Sequence, residues 1–474
     1  MLNILNMINL PLIGEVELTG AILFIFFLCL LAVIAFEFVN GFHDTANAVA
    51  TVIYTRALKP QIAVPWSGLC NFIGVNVGGV AVAMGILKLV PLNDLMALPV
   101  QVGACMVLSV LIASIIWNLG TWYFGIPCSS SHTLIGAMLG SGLAFTYFYH
   151  GGGVNWDKAK DIGLSLILSP IFGFGVAVLL LIFLKKVVKS EKLFHIPQGE
   201  NDKPSIMVRI LLIITCTLVS FFHGSNDGQK GVGLLMLILI AFVPAKFAID
   251  HSISNEKMIA SMTSTQQAIQ HGLAANPNNP NLLHIDTLIT KAQTDLGAVA
   301  ASDAASTFKF RKDIQAINKS LKALFTDNMN LIPDADIATI KASSNDLVNI
   351  TDFAPIWVIM TVSISLGLGT MIGWKRIVVT IGEKIGKSHL SYAQGATAEI
   401  VAAATIGLST GYGLPVSTTH VLSSGVAGAM VATGGTSNIN SGTIKSIAMA
   451  WILTLPVCIS LSFILFTLFR LFIK

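Results

Sequence analysis

Residues 125–140 read GIPCSSSHTLIGAMLG, and residues 413–428 read GLPVSTTHVLSSGVAG. Gly125, Pro127, Ser129, His132, Leu134 and Gly140 return as Gly413, Pro415, Ser417, His420, Leu422 and Gly428. Ser130 and Ser131 become Thr418 and Thr419, which keeps the hydroxyls. A second matched pair precedes each stretch: NGFHDTANAV at 40–49 and HGSNDGQKGV at 223–232, where Gly41, Asp44 and Val49 match Gly224, Asp227 and Val232. Asp227 follows Asp44 by 183 residues, whereas His420 follows His132 by 288, which is 105 more. A polar segment of 103 residues, 250–352, lies between the two motifs of the second half and accounts for the excess. The chain therefore reads as one module written twice, with an insert in the second copy.

Working outward, the 474 residues are 54% hydrophobic and only 11% charged, with mean hydropathy +0.76. A water-soluble chain carries about 25% charged residues, so this one has too few to coat a wet surface. Apolar runs recur near 20–40, 62–87, 102–124, 163–184, 208–222, 228–249, 354–374, 396–412 and 446–472. A bilayer span needs roughly 20 such residues. Lipid offers backbone groups no partners, so the runs are expected to be helices. They lack the alternation of porin strands. The first run is too long for a signal peptide and no cleavage site follows it. Lys185, Lys186, Lys189, Lys192 and Lys203 fill one connection, and Lys375, Arg376, Lys384 and Lys387 another. The positive-inside rule puts both on the cytoplasmic side, a topology signal rather than a nucleic-acid surface. The cysteines Cys29, Cys70, Cys105, Cys128, Cys216 and Cys458 all sit in apolar segments without C-x-x-C spacing, and read as reduced packing residues.

The expected organisation is a first membrane repeat at 1–190, a basic linker at 191–207, the start of a second repeat at 208–249, an extramembrane insert at 250–352 and the remainder of the second repeat at 353–474. The insert is expected to be largely helical, with stretches such as Thr287–Asp303 and Asn/Pro punctuation at 276–280. Duplicated halves are a common transporter architecture, with the substrate near the midplane at their interface. Inverted orientation is the expected relation.

Glu37, Asn40, Asp44 and Asn47 are spaced 3, 4 and 3 apart, which stacks them on one helical face. The second copy gives Ser220, His223, Asp227 and Lys230 at the same spacing. A charge at the bilayer centre costs about 2.5–3.5 kcal/mol on insertion scales, so two such stripes call for a use in ion or substrate binding. The plainer alternative is helix capping at the headgroups, with Gly41 and Gly224 as helix breaks. In the hydroxyl motif, Gly and Pro end one helical piece and three hydroxyl residues open another. Such a start offers capped N–H groups and a positive dipole end to an anion, and a run of neutral donors suits a tetrahedral oxyanion. Ser131 and His132 diverge by about 100° on a helix, so they are not a nucleophile and its base. A cross-repeat pairing of Ser131 with His420 stays open. His132 and His420 read as buried hydrogen-bonding or gating residues.

GFHDTANAVATVIYTRAL at 41–58, HGSNDGQKGVG at 223–233, WNLGTWYFGIP at 117–127, IPCSSSHTLIGA, LPVSTTHVLSS and GTMIGWKRIVVTIGEKIGK at 369–387 resemble the inorganic phosphate transporter (Pit/PiT) family. The resemblance spans the membrane part and excludes the insert. It implies an all-α polytopic fold of two inverted repeats with broken helices and re-entrant hairpins, and phosphate coupled to a cation. It also implies no enzymatic activity. Carried over, the phosphate site comprises Ser129, Ser130, Ser131, Ser417, Thr418 and Thr419 with Asp44 and Asp227. The ion-coupling set is Asp44, Asn40, Asn47, His43, Asn226, Asp227 and Lys230. His43, His223 and Lys230 stand where sodium-coupled members have asparagine.

Two aspartates beside a phosphate would repel it in a low dielectric, unless each holds a cation or proton. The expectation is proton symport, with Lys230 a built-in charge and His43 sharing a proton with Asp44, and with sodium coupling as the alternative. The cargo is expected as phosphate or its neutral divalent-metal complex, and no resident cofactor is expected. A sulfate permease of this fold and a passive anion channel are the rival readings. The expected partners are phosphate, the coupling cation and the lipid of the inner membrane, with no nucleic acid; a homo-oligomer is left open.

Overall fold

A computed structural model of the chain describes residues 6–151, 153–198, 202–299 and 303–472. They fall into two compact units, one of Met1–Ile238 with Ile356–Lys474 and one of Leu239–Pro355.

The first unit opens with a hairpin, β1 (Asn6–Leu10) and β2 (Gly14–Leu18), antiparallel with Asn6 opposite Leu18. Its strands depart from the all-helical expectation; five residues each are too few to stand out in so apolar a sequence. Helices α1 (Gly20–Asp44), α2 (Ala46–Tyr54), α3 (Pro60–Val77), α4 (Ala81–Leu87), α5 (Leu92–Leu95), α6 (Val100–Tyr123), α7 (Ser130–Tyr149) and α8 (Trp156–Val187) follow. After the short α9 (Glu191–Phe194) comes α10 (Ile206–Phe242), which runs into the second unit. That unit holds α11 (Pro244–Phe247), α12 (Asn255–Ala275), α13 (Pro280–Gly297), α14 (Ala304–Asp327) and α15 (Asp334–Thr351). The chain returns through α16 (Ile356–Thr370), α17 (Lys375–Val379), α18 (Tyr392–Gly411), α19 (Thr418–Gly434) and α20 (Ser441–Arg470).

Among the described residues five helical stretches are long and apolar enough to cross a membrane: Gly20–Tyr54, α6, α8, α10 and α20. α3 and α4 pass the same test together but are bent by 73°, so the run at 62–87 is a broken element. On α8 and α20, Ile167, Ile171, Leu179, Met449 and Ile452 are each more than three-fifths exposed. Such an apolar face would be a liability in water; facing lipid it is the favourable surface.

The halves interlock. α7 packs on α20, while α8 packs on α19, and α1 lies along α16. Gly41 sits so close to α16 that a β-carbon there would lie 2.8 Å from the Thr370 backbone nitrogen. Gly224 repeats the arrangement on α3, where a β-carbon would meet the Asn71 Cα at 2.7 Å. Neither glycine breaks its helix: α1 ends only at Asp44, and α10 runs unbroken through its copy of the motif. Both glycines are contact points that let backbones approach.

In the second unit, Met258, Met262 and Ile269 of α12 meet Ile285 and Ile289 of α13, Phe310 and Ile314 of α14, and Leu347 of α15. The spacings of 3 and 4 give each helix one apolar face. Ser254, Asn279 and Asp303 cap α12, α13 and α14 with their side chains. Of the helical stretch expected at Thr287–Asp303, the part to Gly297 is the end of α13 and Asp303 caps α14, while residues 300–302 lie outside the described residues. Arg311 is buried, and its Nη1 donates to the Ala248 carbonyl at 2.5 Å and the Thr351 carbonyl at 2.9 Å. Burial lowers its pKa to about 10, which still leaves the guanidinium charged at neutral pH.

Because backbone faces Gly224, Gly224→Val forces α10 away from α3. The expected result is destabilisation of about 1–3 kcal/mol, seen as a lower melting temperature of the detergent-solubilised protein. An unchanged melt would show that the contact is loose.

Candidate substrate and ion site

Each hydroxyl motif folds as a helix end, a turn and a helix start. Ile126 N–H returns to the Thr121 carbonyl and Gly125 N–H to that of Trp122, both at 2.9 Å. Leu414 N–H returns to Ser409 and Gly413 N–H to Thr410, also at 2.9 Å. This closure needs a left-handed residue, and Gly125 (φ 66) and Gly413 (φ 65) supply it. Pro127 and Pro415 lie in the turns, where no helical N–H is required. Ser129 (φ −97, ψ 112) and Ser417 (φ −92, ψ 102) then start α7 and α19, each side chain accepting the N–H three residues on at 3.1 Å. All six hydroxyl residues are buried. Two positive helix ends thus open into the protein interior, a setting suited to an anion.

Asp44 stands between them. Its Oδ1 accepts from Thr419 Oγ1 at 2.7 Å and from Asn47 Nδ2 at 3.4 Å. Its Oδ2 accepts from Ser130 Oγ. His43 Nδ1 lies 3.3 Å from Oδ1, and the other ring nitrogen of His43 is 3.1 Å from Thr121 Oγ1. Asn47 Nδ2 also donates to Thr419 Oγ1 at 2.9 Å and to Thr418 Oγ1 at 3.4 Å. The chain yields just after Asp44, where the Thr45 hydroxyl donates to the carbonyls of Gly41 and Thr370 at 2.7 and 2.9 Å. A helix bent by such back-bonding turns Asn47 toward α19.

The second acidic motif meets the same cluster. Lys230 Nζ lies 2.7 Å from Asp227 Oδ2 and 2.5 Å from Ser131 Oγ. Ser131 in turn donates to the Val416 carbonyl in the other turn at 2.6 Å. His223 Nδ1 lies 2.8 Å from Asn71 Oδ1, and its Nε2 faces Asp44 Oδ2 at 3.8 Å and Asp227 Oδ2 at 3.7 Å. Asp44, His223 and Asp227 each bring a ligand atom within 4.8 Å of the others, a spacing that a metal ion can use, although the Lys230 ammonium already sits on Asp227.

The structure separates some residues that the sequence reading grouped. Asn40 is one helical turn from Asp44, but its amide reaches Glu37 Oε2 at 3.5 Å. Asn226 points away from the carboxylates: it donates to Thr410 Oγ1 at 2.9 Å and the Leu414 carbonyl at 3.1 Å, and accepts from Val416 N–H at 3.2 Å. Its role is to hold the second turn. His132 and His420 stack with ring centroids 4.4 Å apart, and His420 stacks on Trp451 at 3.8 Å. Among the described residues, Ser131 bonds to Val416 and Lys230 and not to His420.

Other contributors gave no signal. Thr121 and Asn71 orient the two histidines. Gln229 Oε1 accepts from Val82 N–H at 2.7 Å and so starts α4. Glu399, fully buried, takes hydroxyls from Thr51 on one oxygen and Thr215 on the other, tying α2, α10 and α18 together. The residue 288 positions earlier is Leu111, so the repeat could not reveal this carboxylate.

The sequence profile described as the phosphate transporter family matches residues 40–462. The chain belongs to that family. As a member of it, the chain is 40% identical to the low-affinity inorganic phosphate transporter PitB of Escherichia coli K12, over 92% of this chain and 94% of that one. It is 29% identical to the probable low-affinity inorganic phosphate transporter of Bacillus subtilis 168, over 92% and 94%. The fold is similar to that of a solved sodium-dependent phosphate transporter, with TM-score 0.55 and 22% identity, covering 94% of this chain and 99% of that one. This family member is a multi-pass membrane protein whose two hydroxyl motifs meet at one aspartate.

Thr419→Val keeps the shape of a residue that serves both Asp44 and Asn47. Leaving those buried groups short of a partner costs about 1–3 kcal/mol. Phosphate uptake is expected to fall about ten-fold or more in vesicles holding equal amounts of protein. Uptake at the parental rate would remove Thr419 from the site.

Proposed function

We propose that the chain imports inorganic phosphate across the inner (plasma) membrane by symport with a proton. The observation that carries this reading is the position of Lys230, whose ammonium bridges Asp227 and the hydroxyl of Ser131. A fixed cation there offsets one of the two carboxylates and reaches toward the proposed phosphate donors. Asp44 is then the carboxylate that the co-transported ion must neutralise before an anion can sit beside it.

Two imidazole nitrogens, His43 Nδ1 and His223 Nε2, face Asp44. Either can hold a proton against the carboxylate, and a proton so held raises the affinity for phosphate. By linkage, phosphate raises the affinity for the proton equally. Ser129, Ser130, Ser131, Ser417, Thr418 and Thr419 would bind the phosphate oxygens, and Asp44 or Asp227 would accept a phosphate hydroxyl, which sulfate lacks near neutral pH. The names of the relatives support phosphate as the cargo. The sodium dependence in the name of the structural neighbour belongs to a protein 22% identical, and Lys230 with the two histidines is what supports the proton here.

The test is uptake of radiolabelled phosphate into proteoliposomes under an imposed proton or sodium gradient, with and without magnesium and with excess sulfate. Uptake driven by protons and indifferent to sulfate is the expected result. A requirement for magnesium would identify a metal–phosphate complex as the cargo. A requirement for sodium would refute the proton reading. Lys230→Asn is expected to change the coupling ion or to weaken phosphate affinity about ten-fold, the scale of one charged hydrogen bond. No change in either would refute the built-in charge.

A further inference from the structure

Glu37 is a third carboxylate near the site, and the reading above leaves it unused. It lies on α1 two turns before Asp44, fully buried. Its Oε2 takes one long bond from Asn40 at 3.5 Å. Among the described residues its Oε1 has no partner, and neither has the carbonyl oxygen of Asn40. The carboxyl packs against Gly231, the residue after Lys230, so closely that a β-carbon on Gly231 would overlap it. The charged groups whose fields reach it are Lys230 and Asp227 on α10 and Asp44 on its own helix. Of the other elements that pack on α1, α2, α6 and α16 carry no Asp, Glu, Lys, Arg or His, and α7 carries His132. The corresponding residue of the second copy is Ser220, so Glu37 is not part of the repeated pattern.

A buried carboxylate needs a cation or several donors. Here Lys230 is engaged by Asp227 and Ser131, and Asn40 offers a single long bond. In this arrangement Glu37 is satisfied as the neutral acid. Its neighbour Lys230 has a long, flexible stem and, among the described residues, is the lysine that acts on it.

We propose that Glu37 is a further coupling residue, carrying a transported proton that the Lys230 ammonium displaces. With Lys230 on Asp227 and Ser131, Glu37 holds its proton. When Lys230 swings to Glu37, the O–H bond breaks, the proton leaves to the water on the side then open, and the ammonium pairs with the carboxylate. Asp227 is left facing His223. Return of Lys230 to Asp227 requires Glu37 to take up a proton again. The movement of one lysine is thereby tied to the movement of one proton, while Ser131 ties the same lysine to the phosphate donors. This inference rests on proton symport and adds a carrier to it outside the set of groups that touch phosphate.

The experiment uses the full-length protein in proteoliposomes with radiolabelled phosphate and compares two readouts. Phosphate–phosphate exchange needs binding and reorientation but no net proton movement. Accumulation under an imposed proton gradient needs coupling. Glu37→Gln fixes the neutral form. Its exchange is expected to persist, keeping only the pH dependence that the proton at Asp44 gives it, while gradient-driven accumulation falls about ten-fold or more, the scale of one lost charge interaction. Glu37→Asp is expected to keep accumulation with a displaced pH profile. Wild-type accumulation and pH profile in Glu37→Gln would overturn the proposal. Loss of exchange in both variants, or failure of both to fold, would make Glu37 a packing group and overturn it too. If wild-type accumulation ignores the proton gradient, the symport reading itself fails, and that is seen without any variant.

Discussion

A carboxylate withdrawn from water must find its partners inside the protein, and Asp44 finds them on three helices and the break after its own. Ser130 comes from the start of α7, Thr419 from the start of α19, Asn47 from beyond the break at Thr45, and His223 approaches from α10. Ser130 and Thr419 could not both reach Asp44 unless the two hydroxyl turns were brought together beside it. The need to satisfy one buried charge therefore fixes where the two halves meet. It also sets the conflict that a phosphate carrier has to resolve: the hydroxyls and helix ends that favour an anion are gathered around a group that repels one.

The remaining features hold that junction still. Both turns close with the same pair of backbone bonds and restart with a serine cap of nearly the same dihedral angles. Asn226 braces the second turn through three bonds, and Ser131 links the first turn to it through the Val416 carbonyl. Around them, Gly41 and Gly224 allow α1 and α10 to press against backbone. Hydroxyls mounted on such rigid starts keep their directions, which discriminates among anions better than loops would.

The fold was legible where periodicity and composition carry it. Nine apolar runs, a polar helical insert and the duplicated motifs can all be read in the residues, because lipid and α-helical geometry constrain composition strongly. The β1–β2 hairpin was not, and neither was the helix break, which falls at Thr45 in one copy and is absent from the other. Within the site, stripe spacing placed Glu37, Asn40, Asp44 and Asn47 on one face. It could not say that Asn40 turns to Glu37 while Asn47 turns to α19, since that depends on the bend. Asn226 enters the ion-coupling set only through the family resemblance, and the structure turns it to the second hydroxyl turn, since adjacent residues on a helix face different ways. Glu399 lies outside every motif, and only the approach of α2 and α10 to α18 gives it partners.

The exchange of contacts between halves bears on how such a chain came to exist. α7 rests on α20 and α19 on α8, so a helix of each half is covered by a helix of the other. A gene encoding one copy would make a polypeptide with its hydroxyl-bearing helix bare on one side. It would find cover only on a second molecule of its own kind. The ancestor implied by this packing is a pair of identical chains, each completing the other. Fusion then freed the two copies to diverge, and Lys230 at the position equivalent to Asn47, and Ser220 at the position equivalent to Glu37, are the marks of that freedom.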